Sequence, residues 1–161
     1  MAVDVFIKID DIKGESTDDK HKDEIEVISW SWGMTQTGSS HFGTGSGTAR
    51  VDVHNLTFTK YIDLASPNLL KFCCAGTHFK LAKLCLRKAS GNSPIEYLTL
   101  ELHNGIVASV TMGGASDGDR FTETVGLNFS AFKYNYIPQV KGAAGGGVPC
   151  TWNIARNCDK V

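Results

Sequence analysis

Cys74, Cys85 and His78 carry the residue types of a thiol–imidazole pair, in which a base takes the thiol proton and the thiolate attacks. Cys74, His78 and Glu101 together define one reading of the chain, a small monomeric enzyme or ligand-binding barrel with a closed pocket. No neighbouring element signals a lowered thiol pKa. Glu101 and Glu123 would make a carboxylate pair on adjacent strands, a pattern that exposed strand faces also carry routinely. The five cysteines (Cys73, Cys74, Cys85, Cys150, Cys158) are odd in number and include no Cys-x-x-Cys, so neither a zinc knuckle nor a thioredoxin-type centre is indicated. The five histidines show no His-x-x-x-His spacing. Gly43-Thr44-Gly45-Ser46-Gly47 resembles a phosphate loop, but the downstream segment from Arg50 to Ile62 reads as a strand rather than a helix N-terminus. A hairpin loop is the better reading. Phe132, Tyr134 and Tyr136 could stack bases or sugars, yet only Lys133 interleaves with them, and core or subunit interface fits better. The expectation is a protein without catalysis, metal or cofactor.

The elements that would position these side chains are mostly strands. Glu26 to Gln36 alternates large apolar with small polar residues, so Ile28, Trp30, Trp32 and Met34 share one face and Ser29 and Ser31 the other. One face suits a core. The other is small, neutral and hydroxylated, a wall that something slides past; the same pattern also fits an ordinary amphipathic strand. Val3 to Ile9, Ala82 to Arg87, Leu98 to His103, and Ile106 to Met112 alternate in the same way. Turns are expected at Gly91-Asn92-Ser93-Pro94, Asn104-Gly105 and Gly113-Gly114, with Asn104-Gly105 the strongest hairpin signal. Between Phe121 and Tyr136 the apolar phase slips, which predicts a β-bulge near Ser130 or Ala131 and a bent strand. Cys150, Trp152 and Ile154 make a last strand. One helix is expected, with Ser66 as N-cap, Pro67 in the first turn, Gly76 just past the end, and Leu69, Phe72 and Cys73 on the buried face.

A chain of 161 residues suits one domain, here 1–161, with a loop at 13–24 too hydrophilic to bury and a flexible glycine-rich segment at 142–147. The fold class is mainly β: an antiparallel barrel of two curved sheets with one short helix. A net charge of −1 argues against nucleic acid as a partner. That charge is uneven, because residues 10–26 hold eight acids against three lysines. An acidic arm on a mildly basic body can stack head to tail on copies of itself, although a solvated loop has the same composition. No apolar run is long enough to cross a membrane. Met1-Ala2-Val3-Asp4-Val5 lacks the basic and apolar regions of a secretory signal, so synthesis in the cytoplasm is expected.

From Met1 to about Asn157 the chain also resembles the hemolysin-coregulated protein family, the tube subunits of the type VI secretion system. The resemblance rests on Met1-Ala2-Val3-Asp4 with Phe6-Ile7-Lys8-Ile9, on Lys13-Gly14-Glu15-Ser16, and on Ser29-Trp30-Ser31-Trp32-Gly33-Met34. It continues through Phe58-Thr59-Lys60-Tyr61-Ile62-Asp63 into Ser66-Pro67-Asn68-Leu69, then Thr122-Glu123, Leu127-Asn128-Phe129 and Trp152-Asn153-Ile154. The order of these segments over the whole length is specific. It implies a barrel assembled as a homo-hexameric ring, with rings stacked head to tail into a tube inside a contractile sheath. It further implies a baseplate, a valine–glycine repeat spike at the tip, and small effector proteins carried and protected in the lumen. Export would then occur without a cleavable signal, into the extracellular space or a target cell. Within that picture Ser29 and Ser31 are expected to face the channel, and Glu15, Asp18, Asp19, Lys20 and Lys22 to meet the next ring.

Overall fold

The computed structural model describes residues 3–36, 50–88, 93–141 and 143–161. Its sheet arises from the alternating runs: β1 (Val3–Ile9), β2 (Ile25–Glu26), β3 (Ser29–Ser31), β6 (Leu56–Tyr61), β7 (His78–Lys88), β8 (Ile95–Gly113), β9 (Thr122–Tyr136) and β12 (Val148–Asn153). These eight strands form one antiparallel sheet in the order β2-β1-β7-β8-β9-β6-β3. The last of them, β12, pairs with the C-terminal half of β9, in line with β6 on its N-terminal half. Two-residue strands β4 (Met34–Thr35) with β5 (Asp52–Val53), and β10 (Gln139–Val140) with β11 (Ala143–Ala144), make two small ribbons. The sheet curls around a core that includes Ile7, Ile9, Leu56, Phe58, Leu84, Leu100, Leu102, Val125 and Leu127. The single described helix, α1 (Ser66–Ala75), lies against it through Leu69, Phe72 and Cys73, the face expected from their spacing.

Several local expectations need correction. Asn104-Gly105 is no hairpin turn: β8 runs through it unbroken, and the β8–β9 hairpin turns after Gly113. Asn104 adopts φ 50°, and a Cβ on Gly105 would collide with the Asn128 carbonyl and the Phe79 ring. The pair therefore bends a long strand where its neighbours crowd it. The bulge belongs to β8 as well, where the register with β9 shifts between Val107 and Ser109. Along β9 both Ala131 and Phe132 are buried, because Phe132 meets Trp32 edge-on with ring centroids 4.9 Å apart. That second covering explains the phase slip without a bulge at Ser130.

Arg50 to Ile62 divides into β5 and β6 at His54 and Asn55, where the His54 carbonyl accepts the Trp32 indole N–H at 3.0 Å. Of the tryptophan strand's apolar face, Trp30 and Trp32 pack on the core, whereas Ile28 and Met34 are exposed. Nor is Ser66 the N-cap. It is the first helical residue; Ala65 holds the N-cap position without a side-chain capping bond, and the Asp63 carboxylate accepts the Ala65 N–H at 2.9 Å just ahead of the helix. Gly76 ends the helix in the left-handed conformation, φ 61°, as expected. The Gly43–Gly47 loop and His41 lie outside the described residues.

Candidate assembly surfaces

Cross-strand register turns single hydroxyls into a surface. Ser29 pairs with Thr59, Thr59 with Thr124, and Thr124 with Thr111. One step along, Ser31 pairs with Thr57, Thr57 with Gly126, and Gly126 with Ser109. Directly paired residues point to the same face, so β3, β6, β9 and β8 present two rows of small, uncharged groups. Ser29, Ser31, Ser109 and Thr111 are exposed, and Thr57, Thr59 and Thr124 half-buried. Within the first row the Thr59 and Thr124 hydroxyls lie 3.2 Å apart in a hydrogen bond. Gly126 is flush with the second because a Cβ there would run into the Ser109 hydroxyl.

The opposite face of the same strip takes the charge. Lys60 and Glu123 are register partners on β6 and β9, are buried, and form an ion pair. The Lys60 ammonium also donates to Asp63 Oδ1 at 2.7 Å, the Tyr61 carbonyl at 3.0 Å and Ser66 Oγ at 3.2 Å. Ser66 Oγ in turn donates to Glu123 Oε1 at 2.6 Å. This is why Ser66 cannot serve as a cap: its hydroxyl ties the helix start to the sheet.

At the far side of the sheet, residues 13–24 fold down as a flap over β1 and β7. The Gly14 N–H donates to the Asp23 carbonyl at 2.8 Å and the Asp23 N–H to the Ser16 carbonyl at 2.9 Å. Contrary to the expectation from its hydrophilicity, Ser16 and His21 are buried. Arg87 fastens the flap by donating to both Asp18 oxygens, at 2.9 and 2.6 Å, and to Asp4 at 2.9 Å. The Arg87 hydrogen bonds hold the Asp18 carboxyl well below the usual carboxylate range, and Asp18 raises the guanidinium pKa in return. Glu15, Asp19, Lys20 and Lys22 remain exposed on the outer surface of the flap.

The family model described as "Type VI secretion system effector, Hcp" matches residues 6–136. The protein hcp1 of Pseudomonas aeruginosa is 50% identical over 159 residues, covering 98% of each chain. The chain belongs to the Hcp family. A crystal structure of Hcp1 from Salmonella typhimurium superposes with a TM-score of 0.82 at 46% identity, covering 98% of both chains. A further solved type six secretion system protein reaches a TM-score of 0.91 at 33% identity over 99% of this chain and all of its own. As a member of the Hcp family, the chain is a structural, tube-forming protein of type VI secretion.

This Hcp chain does not assemble the alternative site. Cys74 is exposed on α1, and His78 is paired with Ile106 at the start of β7. Glu101 is paired with Lys83, five residues further along β7, which is about 17 Å in extended chain. Glu101 lies 3.5 Å from His103 and faces Lys133 across the β8–β9 ladder, while Glu123 is consumed by Lys60. All five cysteines are free. The alternation of β3 points only to Ser29 and Ser31, whereas the register sets Thr57, Thr59, Ser109, Thr111 and Thr124 beside them. The spacing Thr57-x-Thr59 and Thr122-x-Thr124 was the available signal, but it acquires meaning only through the register.

Proposed function

We propose that this Hcp chain forms homo-hexameric rings that stack head to tail, with the Ser/Thr rows lining the channel through which small effector proteins are carried. The observation behind this reading is the double row Ser29-Thr59-Thr124-Thr111 and Ser31-Thr57-Gly126-Ser109, which carries no charge. Hydroxyls keep water at the wall and offer weak, exchangeable hydrogen bonds, so cargo of varied sequence is held without being trapped. In the described sheet β2 and β3 each pair on one side only, and a ring closes such edges between protomers. Stacked rings then form the inner tube propelled by the contractile sheath on its baseplate, tipped by a valine–glycine repeat spike, and leave the bacterial cytoplasm with it.

Native mass and negative-stain images of one sample test the ring: six times the chain mass with an open centre supports it, and a monomer at every concentration overturns it. Replacing Ser31 with Gln should leave rings intact while lowering effector co-purification; undiminished cargo would remove Ser31 from the lumen. The exposed flap residues Glu15, Asp19, Lys20 and Lys22 are assigned to contacts between rings, with Asp18 acting from beneath as their anchor on Arg87. Asp19→Lys with Lys20→Glu reverses the exposed charges without touching that anchor. Such a partly exposed contact should weaken with salt, on a Debye length of about 8 Å at physiological ionic strength. Tubes of unchanged length and salt sensitivity in that variant would overturn the stacking role.

A further inference from the structure

Beneath the flap lies a cluster that neither tube assembly nor cargo carriage uses. His21 Nε2, Cys85 Sγ and a Glu96 carboxylate oxygen all lie within 4.8 Å of one another. We propose that these three side chains form a binding site for a thiophilic divalent cation of the zinc type, which locks the flap onto the sheet. Thiolate, imidazole and carboxylate together are the donor set such an ion selects.

Three features make this a built site rather than a chance cluster. First, the orientation of His21 is fixed. Its ring stacks on Phe6 at 4.4 Å and 11°, and Nδ1 lies 2.9 Å from Glu24 Oε2. A Glu24 carboxylate holding the Nδ1 proton leaves Nε2 with its lone pair free, the carboxylate–histidine arrangement that supports metal-ligating imidazoles. Second, that Nε2 is buried and has no hydrogen-bond partner, with Glu96 Oε1 3.4 Å away. In the tautomer that Glu24 favours, both are acceptors, Nε2 buried and Glu96 at the mouth of the cluster, and a cation between them satisfies the two. Third, Glu96 reaches the cluster through a fault in the ladder. The β7–β8 register shifts between Leu86 and Arg87, so Glu96 pairs with Arg87 although Leu86 pairs with Leu98. The irregularity brings Glu96 to the outer face shared by Cys85 and Arg87, a use of bulges seen where a side chain must be re-aimed.

The charge balance favours an ion of charge two. On binding, the thiol proton leaves for solvent, a metal–sulfur bond replaces it, and the thiolate and Glu96 carboxylate neutralise the ion. The side chain of Glu96 is 35% exposed, which gives the ion a route in and water the fourth position.

Cobalt(II) is the direct probe, because a thiolate-to-cobalt charge-transfer band reports the Cys85 bond itself. The full-length background carries Cys73→Ala, Cys74→Ser, Cys150→Ser and Cys158→Ser, removing the exposed and half-buried thiols away from the site. One cobalt per chain with a thiolate band, displaced by zinc, is expected, and Cys85→Ser should abolish the band. Glu24→Gln should weaken affinity about 10- to 100-fold by removing support from His21. Zinc should also slow tryptic cleavage after Lys20 and Lys22. A folded background protein with no thiolate band, or one whose band survives Cys85→Ser, overturns the proposal. If Cys85→Ser does not fold, Glu96→Gln and Glu24→Gln decide it: unchanged cobalt affinity in both overturns it, and weakened affinity in both upholds it.

Discussion

The β6–β9 strip and the flap-covered β1–β7 strip handle charge in opposite ways. On β6–β9 the charged partners Lys60 and Glu123 are turned inward and neutralised, leaving hydroxyls and glycine along the two outer rows, with the Arg120 guanidinium over the Tyr61 ring only at the end of β6. On β7 the charged residue Arg87 stays on the outer face, and a loop is brought down to meet it. The first arrangement clears a surface, and the second fastens one. Strand β8 belongs to both, pairing with β7 up to Ile106 and with β9 alone beyond it. A single curled sheet thereby presents one neutral, smooth wall and one charged, bolted exterior.

The comparison breaks most severely at Lys60. Truncation to Ala leaves Glu123 buried and unpaired, and removing one partner of a buried pair destabilises by about 3–5 kcal/mol. Denaturant unfolding measures it. Lys60→Met with Glu123→Leu should recover part of the loss, because Glu123 no longer needs a counter-charge while Asp63 still loses its bond to Lys60. Next in size is the joint between the two strips. Gly105→Ala forces a methyl group into the Asn128 carbonyl and the Phe79 ring, and overpacking of this kind is expected to destabilise by about 1–3 kcal/mol. If the same substitution were neutral, β8 would not be clamped at that joint.

The strands, the helix and the small-residue face of β3 were legible because alternation and capping residues are local signals. What could not be read was set by partners distant in sequence. Asn104-Gly105 carries hairpin chemistry, yet Phe79 and Asn128 crowd it from β7 and β9 and make it a bend. The 13–24 flap reads as solvated because nothing within it announces Arg87, over sixty residues away. Ser66 and Thr124 have ordinary local roles until Glu123 and Thr59 are placed beside them. The candidate wall was therefore half visible: two serines by alternation, the threonines only by register.

The flap distinguishes the strips by pH. Asp18 has a folded pKa depressed by Arg87, so its contribution is fully present above the unfolded carboxylate value of about 3.9 and fades as pH falls through the lower folded value. Hydrogen exchange across residues 13–24 should stay slow at pH 4 and rise only in stronger acid. Asp18→Asn should open the flap at neutral pH and remove this part of the acid dependence.

The smallest stability change is expected on the wall. Thr124→Val removes one hydroxyl from a half-buried pair with Thr59, and Ser31→Gln adds bulk to an exposed edge residue. Exposed substitutions of this kind are usually within about 0.5 kcal/mol, so Ser31→Gln should leave the unfolding midpoint nearly unchanged. If this face lines the channel as proposed, it should nevertheless lose cargo when crowded, separating function from stability at one position. A Ser31→Gln protein that unfolded early would mean β3 is held by that edge, and the division between a cleared surface and a fastened one would fail there.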